Sequence, residues 1–176
     1  MQQSYAMVSG AFENLPVASL VEDALQMNAA AFERHRVRVI REIAPDVPTV
    51  CVDRHKVLQI LINLFSNAKY AMEARNQPEK VLLIRVERAA PARVRISVRD
   101  NGIGIAPDHL MKIFNHGFTT KKNGHGFGLH SGANAAREIG GSLTAQSEGV
   151  GQGASFILEL PATTPKAAGL TAQGKS

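Results

Sequence analysis

The sequence predicts a mixed α/β domain, and three observations carry that prediction. Residues 54–75, RHKVLQILINLFSNAKYAMEAR, are apolar at helical spacing over many turns. Residues 81–88 and 93–100, VLLIRVER and RVRISVRD, lie either side of AAPA, and the second alternates Val94, Ile96 and Val98 with Arg93, Arg95, Ser97 and Arg99. That is a hairpin with one wet face. Residues 100–127 are glycine-rich and mostly irregular, a length that inside a compact domain marks a functional loop or a lid.

The remaining elements follow in order. VASLVEDALQMNAAAF, residues 17–32, spaces its apolar side chains as an amphipathic helix, and Val37–Ile43 reads as a strand. TVCV after Pro48 is a second, short strand. Asp53 then stands where an N-cap is needed, and the long helix it opens fades before Pro78. One helical turn is expected around His109 to Phe114. LHSGANAAREIG is a helix closed by Gly140-Gly141, where a left-handed cap fits. Strands SLTAQS and ASFILELP, joined by the turn EGVGQG, end the domain, and the tail from 162 to 176 reads as disordered.

A chain of 176 residues with 44% apolar content supports one compact domain plus loose ends. Its single cysteine, Cys51, forms no internal disulfide, which points to a reduced, cytoplasmic setting. No apolar run reaches the length of a membrane span, and the first residues lack a signal-peptide layout, so no membrane contact is expected. The net charge of +5 suits a phosphate-bearing ligand or an acidic partner. Its Lys and Arg are spread along the chain with little aromatic interleaving, which argues against nucleic acid.

Three clusters could carry chemistry. On the long helix, Leu58, Leu61, Ile62, Phe65 and Met72 share the arc that would face a sheet, whereas Gln59, Asn63, Asn67 and Tyr70 share another. Asn63 and Asn67 are one turn apart. They form either a strip facing water or a pair of amides that a ligand uses, because Asn in mid-helix costs stability. Lys69 falls inside the apolar arc, where its stem can snorkel.

In RDNGIGIAP, residues 99–107, Asp100 ends a strand, and Gly102 and Gly104 permit close backbone approach. The segment is either a D-N-G turn or a carboxylate placed to accept from an amino group. In FTTKKNGHGFGLH, residues 118–130, hydroxyls and cations run into glycines and then a helix. This is either a surface loop or an anion site built from free N–H groups at a helix start. The spacing is not that of a dinucleotide fingerprint. His125 and His130 have no Cys or acidic cluster at ligand spacing, and read as loop positions.

In sequence order, N-L-F-S-N-A (63–68), D-N-G-I-G-I (100–105), F-N-H-G-F-T-T-K (114–121), G-H-G-F-G-L (124–129) and G-Q-G-A-S-F (151–156) resemble the boxes of the ATP-binding domain of sensor histidine kinases. That family shares its fold with DNA gyrase, heat-shock chaperone and mismatch-repair ATPases. The resemblance covers residues 17–161 and implies a two-layer α+β sandwich. Its mixed, mainly antiparallel sheet would carry three helices on one face and a long nucleotide lid. Residues 1–16 would be the remnant of a preceding dimerisation helix and linker.

The implied cofactors are ATP and Mg²⁺. Asn67 would coordinate the metal through its amide oxygen, with Asn63 beside it on phosphate or metal-bound water. Asp100 would bind the adenine amino group, with Gly102 allowing close approach and Gly104 and Ile105 walling the base. Phe118, Thr119, Thr120 and Lys121 would bind from the lid, and Gly124, His125, Gly126, Phe127, Gly128 and Leu129 would close over the phosphates. Asn63, Asn67 and Lys121 would form the catalytic group.

Hydrolytic relatives and anti-sigma serine kinases carry Glu one turn before the metal Asn. Here that residue is Asn63, which cannot take a proton, so the resemblance favours a kinase whose base lies on another domain. A stand-alone serine kinase and a nucleotide-binding interaction module are the alternatives. Ala154 stands where Thr is frequent, and Tyr70 where an acidic residue is frequent. The implied partners are the phosphoacceptor-helix domain of the same kinase and a response regulator, within a homodimeric parent that a membrane anchor could hold. None of His35, His55, His109, His116, His125 or His130 precedes Glu or Asp, so this chain is expected to bind ATP without phosphorylating itself.

GLTAQGKS, residues 169–176, fits a P-loop pattern. PATTPKAA supplies no strand before it and no residues follow to form a helix, so the match is expected to be accidental. Cutting the chain after Pro161 should leave Mg-ATP affinity unchanged in a calorimetric titration. Loss of binding by a folded product would place the site in the tail.

Overall fold

The hairpin expected between residues 80 and 100 is the centre of the sheet, and the other strands assemble around it. A computed structural model describes residues 11–115, 118 and 128–163. Its elements are β1 (Phe12–Leu15), α1 (Val17–Met27), α2 (Ala29–Arg34), β2 (Val37–Ile43), β3 (Val50–Asp53), α3 (Arg54–Arg75), β4 (Lys80–Ala89), β5 (Arg93–Asp100), α4 (Pro107–Leu110), α5 (Gly128–Glu138), β6 (Ser142–Gln146) and β7 (Ala154–Pro161). Five strands form one sheet in the order β2-β4-β5-β7-β6. Only β2 and β4 pair in parallel, and the register sets Asp100 between Leu82 and Ala154.

Alternation along the strands separates the two faces. Leu82, Ile84, Ile96, Val98, Leu158 and Leu160 are fully buried beneath the helices. The opposite face carries ion pairs, Arg85 with Glu42 and Arg95 with Glu159, both at 2.8 Å. α1, α3 and α5 lie side by side on the apolar face with α3 in the middle, giving the mixed two-layer sandwich the resemblance implies.

The central position of α3 explains its burial pattern. Besides Leu58, Leu61, Phe65 and Met72, it buries Val57, Ile60, Leu64 and Ala68, because it meets the sheet below and a helix on each side. Ile62, expected on the sheet-facing arc, is only half-buried. Each fully buried large aliphatic contributes about 1.5–3 kcal/mol relative to exposure. Lys69 has its explanation here too, since its ammonium lies 3.6 Å from Glu73, one turn on. Glu73 in turn holds His35 at the end of α2.

Four local expectations change. The helix expected over 17–32 is two helices, because Asn28 turns its side-chain amide back to the Ala24 carbonyl at 3.3 Å and interrupts the ladder. The single turn expected near His109 begins earlier, at Pro107. Residues 12–15, assigned to a helix or linker before the domain, form β1 and pair with β3. Ala162 bridges to Val50, and Thr163 N–H donates to the Thr49 carbonyl at 2.8 Å. These bonds extend the paired backbone past Pro161, so a truncation that isolates the tail belongs after Thr163. Residues 1–10 and the P-loop-like 169–176 lie outside the described residues.

Asp53 caps α3 as expected, accepting the N–H of His55 at 3.0 Å and of Lys56 at 3.4 Å. Asp53→Ala should cost about 1 kcal/mol, seen as a lower midpoint in urea unfolding with unchanged slope.

Candidate functional site

The site begins at the end of β5. Asp100 is 3% exposed, and its Oδ1 accepts the Gly102 N–H at 2.8 Å. Burial pushes this carboxyl up to about 6, against the opposing pull of the Gly102 and Ala154 N–H groups and the Arg99 charge. A carboxylate so placed is strained toward protonation, and an incoming N–H donor would relieve it.

The loop after Asp100 is held by close backbone approach. A Cβ on Gly102 would come within 2.5 Å of the Ala71 carbonyl, so no other residue fits against α3 there. Ile103 N–H donates to that Ala71 carbonyl at 3.0 Å. Gly104 has φ +75°, and a Cβ on it would lie 2.1 Å from the Gly149 carbonyl oxygen. Gly153, at φ +71°, sits equally close over the Asp100 carbonyl. The turn 149–153 and the loop 102–105 therefore run against one another, and the half-buried Ile105 packs at the edge of the core.

Helix α3 continues the site away from this loop. One turn before Ala71 stands Asn67, and one turn before that Asn63, both half-buried. The Asn63 amide faces the first residue of α5, since a Cβ on Gly128 would lie 3.7 Å from its Cγ. Ala71 and Asn63 are eight residues apart, about 12 Å at helical rise. One helix side thus connects a buried carboxyl and its loop to two amides and the start of a second helix.

His130, near the start of α5, ties that helix to Phe114. Its Nδ1 lies 3.1 Å from the Phe114 carbonyl and its Nε2 3.2 Å from the Asn134 amide. Asn134 Oδ1 accepts from Arg137, which aims the amide N–H at Nε2. Phe118 packs against the core and meets His109 edge-on, with centroids 5.4 Å apart. Leu129 is partly buried on the same side.

Of the residues singled out in the sequence, Asn63, Asn67, Asp100, Gly102, Gly104, Ile105, Phe118, Gly128 and Leu129 have described positions. Thr119, Thr120, Lys121, Gly124, His125, Gly126 and Phe127 lie outside the described residues. Sequence reasoning passed over two others. Asn101 accepts the Val81 N–H and donates to the Glu79 carbonyl, both at 3.0 Å, while its own carbonyl takes Arg75 and Gln77. Ser147 joins Ile105 to the 149–153 turn. For Asn101 the D-N-G pattern was a usable signal; Ser147 had none.

The donor set suits a hard cation that is held mostly by a ligand's own oxygens. The described residues contain no group of three acidic, His or Cys side chains able to enclose a metal, and the side-chain amides this part of α3 contributes are those of Asn63 and Asn67.

Residues 52–164 match the family described as histidine kinase-, DNA gyrase B- and HSP90-like ATPases. The sensor protein FixL of Bradyrhizobium diazoefficiens is 32% identical over 146 residues, which are 83% of this chain and 28% of FixL. Full-length ShkA, solved in complex with AMPPNP, superimposes with TM-score 0.76 at 27% identity over 88% of this chain and 32% of its own. The nucleotide-free catalytic domain of histidine kinase ThkA gives TM-score 0.74 at 27% identity, covering 86% of this chain and 96% of that domain. ThkA is also solved in complex with the response regulator TrrA. The chain spans under a third of the length of FixL.

The raised Asp100 value sets a sign for stability. A carboxyl protonated more readily folded than unfolded contributes stability that is full below about 3.8 and lost as pH rises through about 6. Ligand-free protein should lose on the order of 3 kcal/mol across that window. Asp100→Asn lacks this loss, so its stability relative to the parent in urea unfolding should rise from about pH 4 to about pH 6 and stay level above that.

Proposed function

The chain belongs to the family of histidine kinase-, DNA gyrase B- and HSP90-like ATPases, and from that premise we propose that it binds Mg-ATP and presents the γ-phosphate to a histidine on a separate helical domain. The observation that carries this reading is the pairing of buried, proton-hungry Asp100 with the Asn63–Asn67 strip along one side of α3. An extended ligand with an amino group at one end and phosphates at the other fits that layout.

Asp100 accepts from the adenine amino group, and Gly102 and Gly104 keep side chains out of the space the base needs. Ile105 forms one wall. Asn67 would hold Mg²⁺ through its amide oxygen, with Asn63 beside it toward phosphate or a metal-bound water. Bound there, the cation would supply neutralisation of phosphate charge. Thr119, Thr120 and Lys121, with Gly124 to Leu129, complete the phosphate side.

Transfer breaks the bond between the γ-phosphorus and its bridging oxygen and forms a phosphorus–nitrogen bond to the acceptor imidazole, with ADP departing. Asn63 cannot act as a base, so water is not activated at that position and hydrolysis is not the designed outcome. A serine acceptor finds no support in these residues for the same reason.

The nucleotide-binding unit runs from Phe12 to Thr163, preceded in the longer protein by a dimerisation helix and its linker. Its partners are the phosphoacceptor helices of the same homodimeric kinase and a response regulator, as in two-component signalling. No helix among the described residues is long and apolar enough to cross a membrane. The proposed setting is cytoplasmic, with any anchor elsewhere in the parent.

Asp100→Asn should weaken ATP binding about 10- to 100-fold and erase preference for ATP over GTP, while Asn67→Ala should remove a comparable Mg²⁺-dependent share. Calorimetric titration with and without magnesium reads both. Unchanged ATP and GTP affinities in Asp100→Asn would refute the adenine assignment.

A further inference from the structure

Among the described residues, the backbone bonds seen to position residues 102–105 are made by other backbone, with two exceptions. Gly102 carbonyl accepts from Gly153 N–H at 3.2 Å, Ile103 carbonyl from Gly151 N–H at 2.5 Å, and Ile103 N–H donates to Ala71 carbonyl at 3.0 Å. Such bonds do not depend on which side chains are present. The exceptions are the Asp100 carboxyl, which takes Gly102 N–H, and the hydroxyl of Ser147, which takes Ile105 N–H at 3.0 Å.

Ser147 uses its full hydrogen-bonding capacity. Besides Ile105, its Oγ accepts Gly149 N–H at 3.3 Å and donates to the Gly153 carbonyl at 2.7 Å. One hydroxyl offers one proton and two lone pairs, and all three are engaged. Its two ends matter differently. Ile105 is a wall of the proposed base pocket, whereas Gly153 rests on the backbone of Asp100, where a Cβ would lie 2.3 Å from the Asp100 carbonyl oxygen.

We propose that Ser147 is a positioning residue for adenine recognition: its hydroxyl sets the spacing between the Ile105 wall and the Asp100 carboxyl. This rests on the nucleotide-binding reading above. Only a hydroxyl meets the geometry. Alanine leaves the Ile105 amide without its acceptor and frees residues 104–105 to shift, and cysteine keeps the volume with far weaker donor and acceptor strength. Threonine keeps the hydroxyl.

The test measures ADP and GDP affinities of the whole chain by calorimetry for the parent, Ser147→Ala and Ser147→Thr, beside thermal unfolding. Ser147→Ala should bind ADP about tenfold more weakly and GDP nearly as before, so that base preference falls by that factor, and Ser147→Thr should restore it. A folded Ser147→Ala protein with parental ADP affinity and preference overturns the proposal. So does equal weakening of ADP and GDP, which is what a purely structural turn residue produces. If the alanine variant does not fold, Ser147→Cys is read by the same two criteria. Parent binding of ADP and its loss in Asp100→Asn establish the site without Ser147. Failure of those controls counts against the nucleotide site, and failure of Ser147→Ala alone counts against the positioning role.

Discussion

The Ala71 carbonyl accepts the Ile103 N–H at 3.0 Å near the C-terminal end of α3, and Gly102 lies so close to the same peptide that a methyl group would overlap it. This contact between a helix backbone and a loop backbone fixes where β5 ends relative to α3. Asp100 is buried because of it, and the 149–153 turn has a surface to run along because of it. Such proximity leaves no room for a Cβ on the loop, which is why Gly102 stands against the Ala71 carbonyl and why the next two loop contacts also use glycines.

Burying a carboxyl in that position opposes folding. The apolar surface enclosed by α1, α3, α5 and the sheet supplies stability that a single raised acid does not exhaust. The polar face contributes less to that balance. Its Arg–Glu pairs are around half-exposed, and pairs of that kind are worth about 0–1 kcal/mol. The domain is thus stabilised mainly by one apolar layer, and it keeps at that layer's edge a group whose charge is favourable only with a donor present. Sites that bind and release ligands commonly hold such locally unfavourable groups.

α3 serves two demands through its central location. Its buried positions form one continuous arc, and Gln59, Asn63, Asn67 and Tyr70 lie on the side away from it. That side ends at the loop of Asp100 in one direction and at Gly128 in the other. The rigidity of a helix packed on three sides transfers to whatever the strip holds. Asn101 and Ser147 act on the flanking loops in the same sense, tying them to strand ends through single side chains.

Local chemistry determined much of this protein from sequence alone. The β4–β5 alternation, the Asp53 cap, the left-handed Gly140 and the length of α3 each arise from residues near one another in the chain, so their patterns are visible there. The Asn63–Asn67 pair and Asp100 at a strand end were legible for the same reason. The tertiary structure alone decided what depends on distant partners: the pairing of β1 with β3, the bonds of Thr163 to Thr49, the break at Asn28 in a run that reads as one helix, and the burial that raises Asp100. The Ile105–Ser147 bond spans 42 residues, and a serine after a short strand has no local signature of the amide it will meet. Periodicity records which side of an element is apolar; it does not record which other element will cover that side, and the site is assembled where those coverings meet.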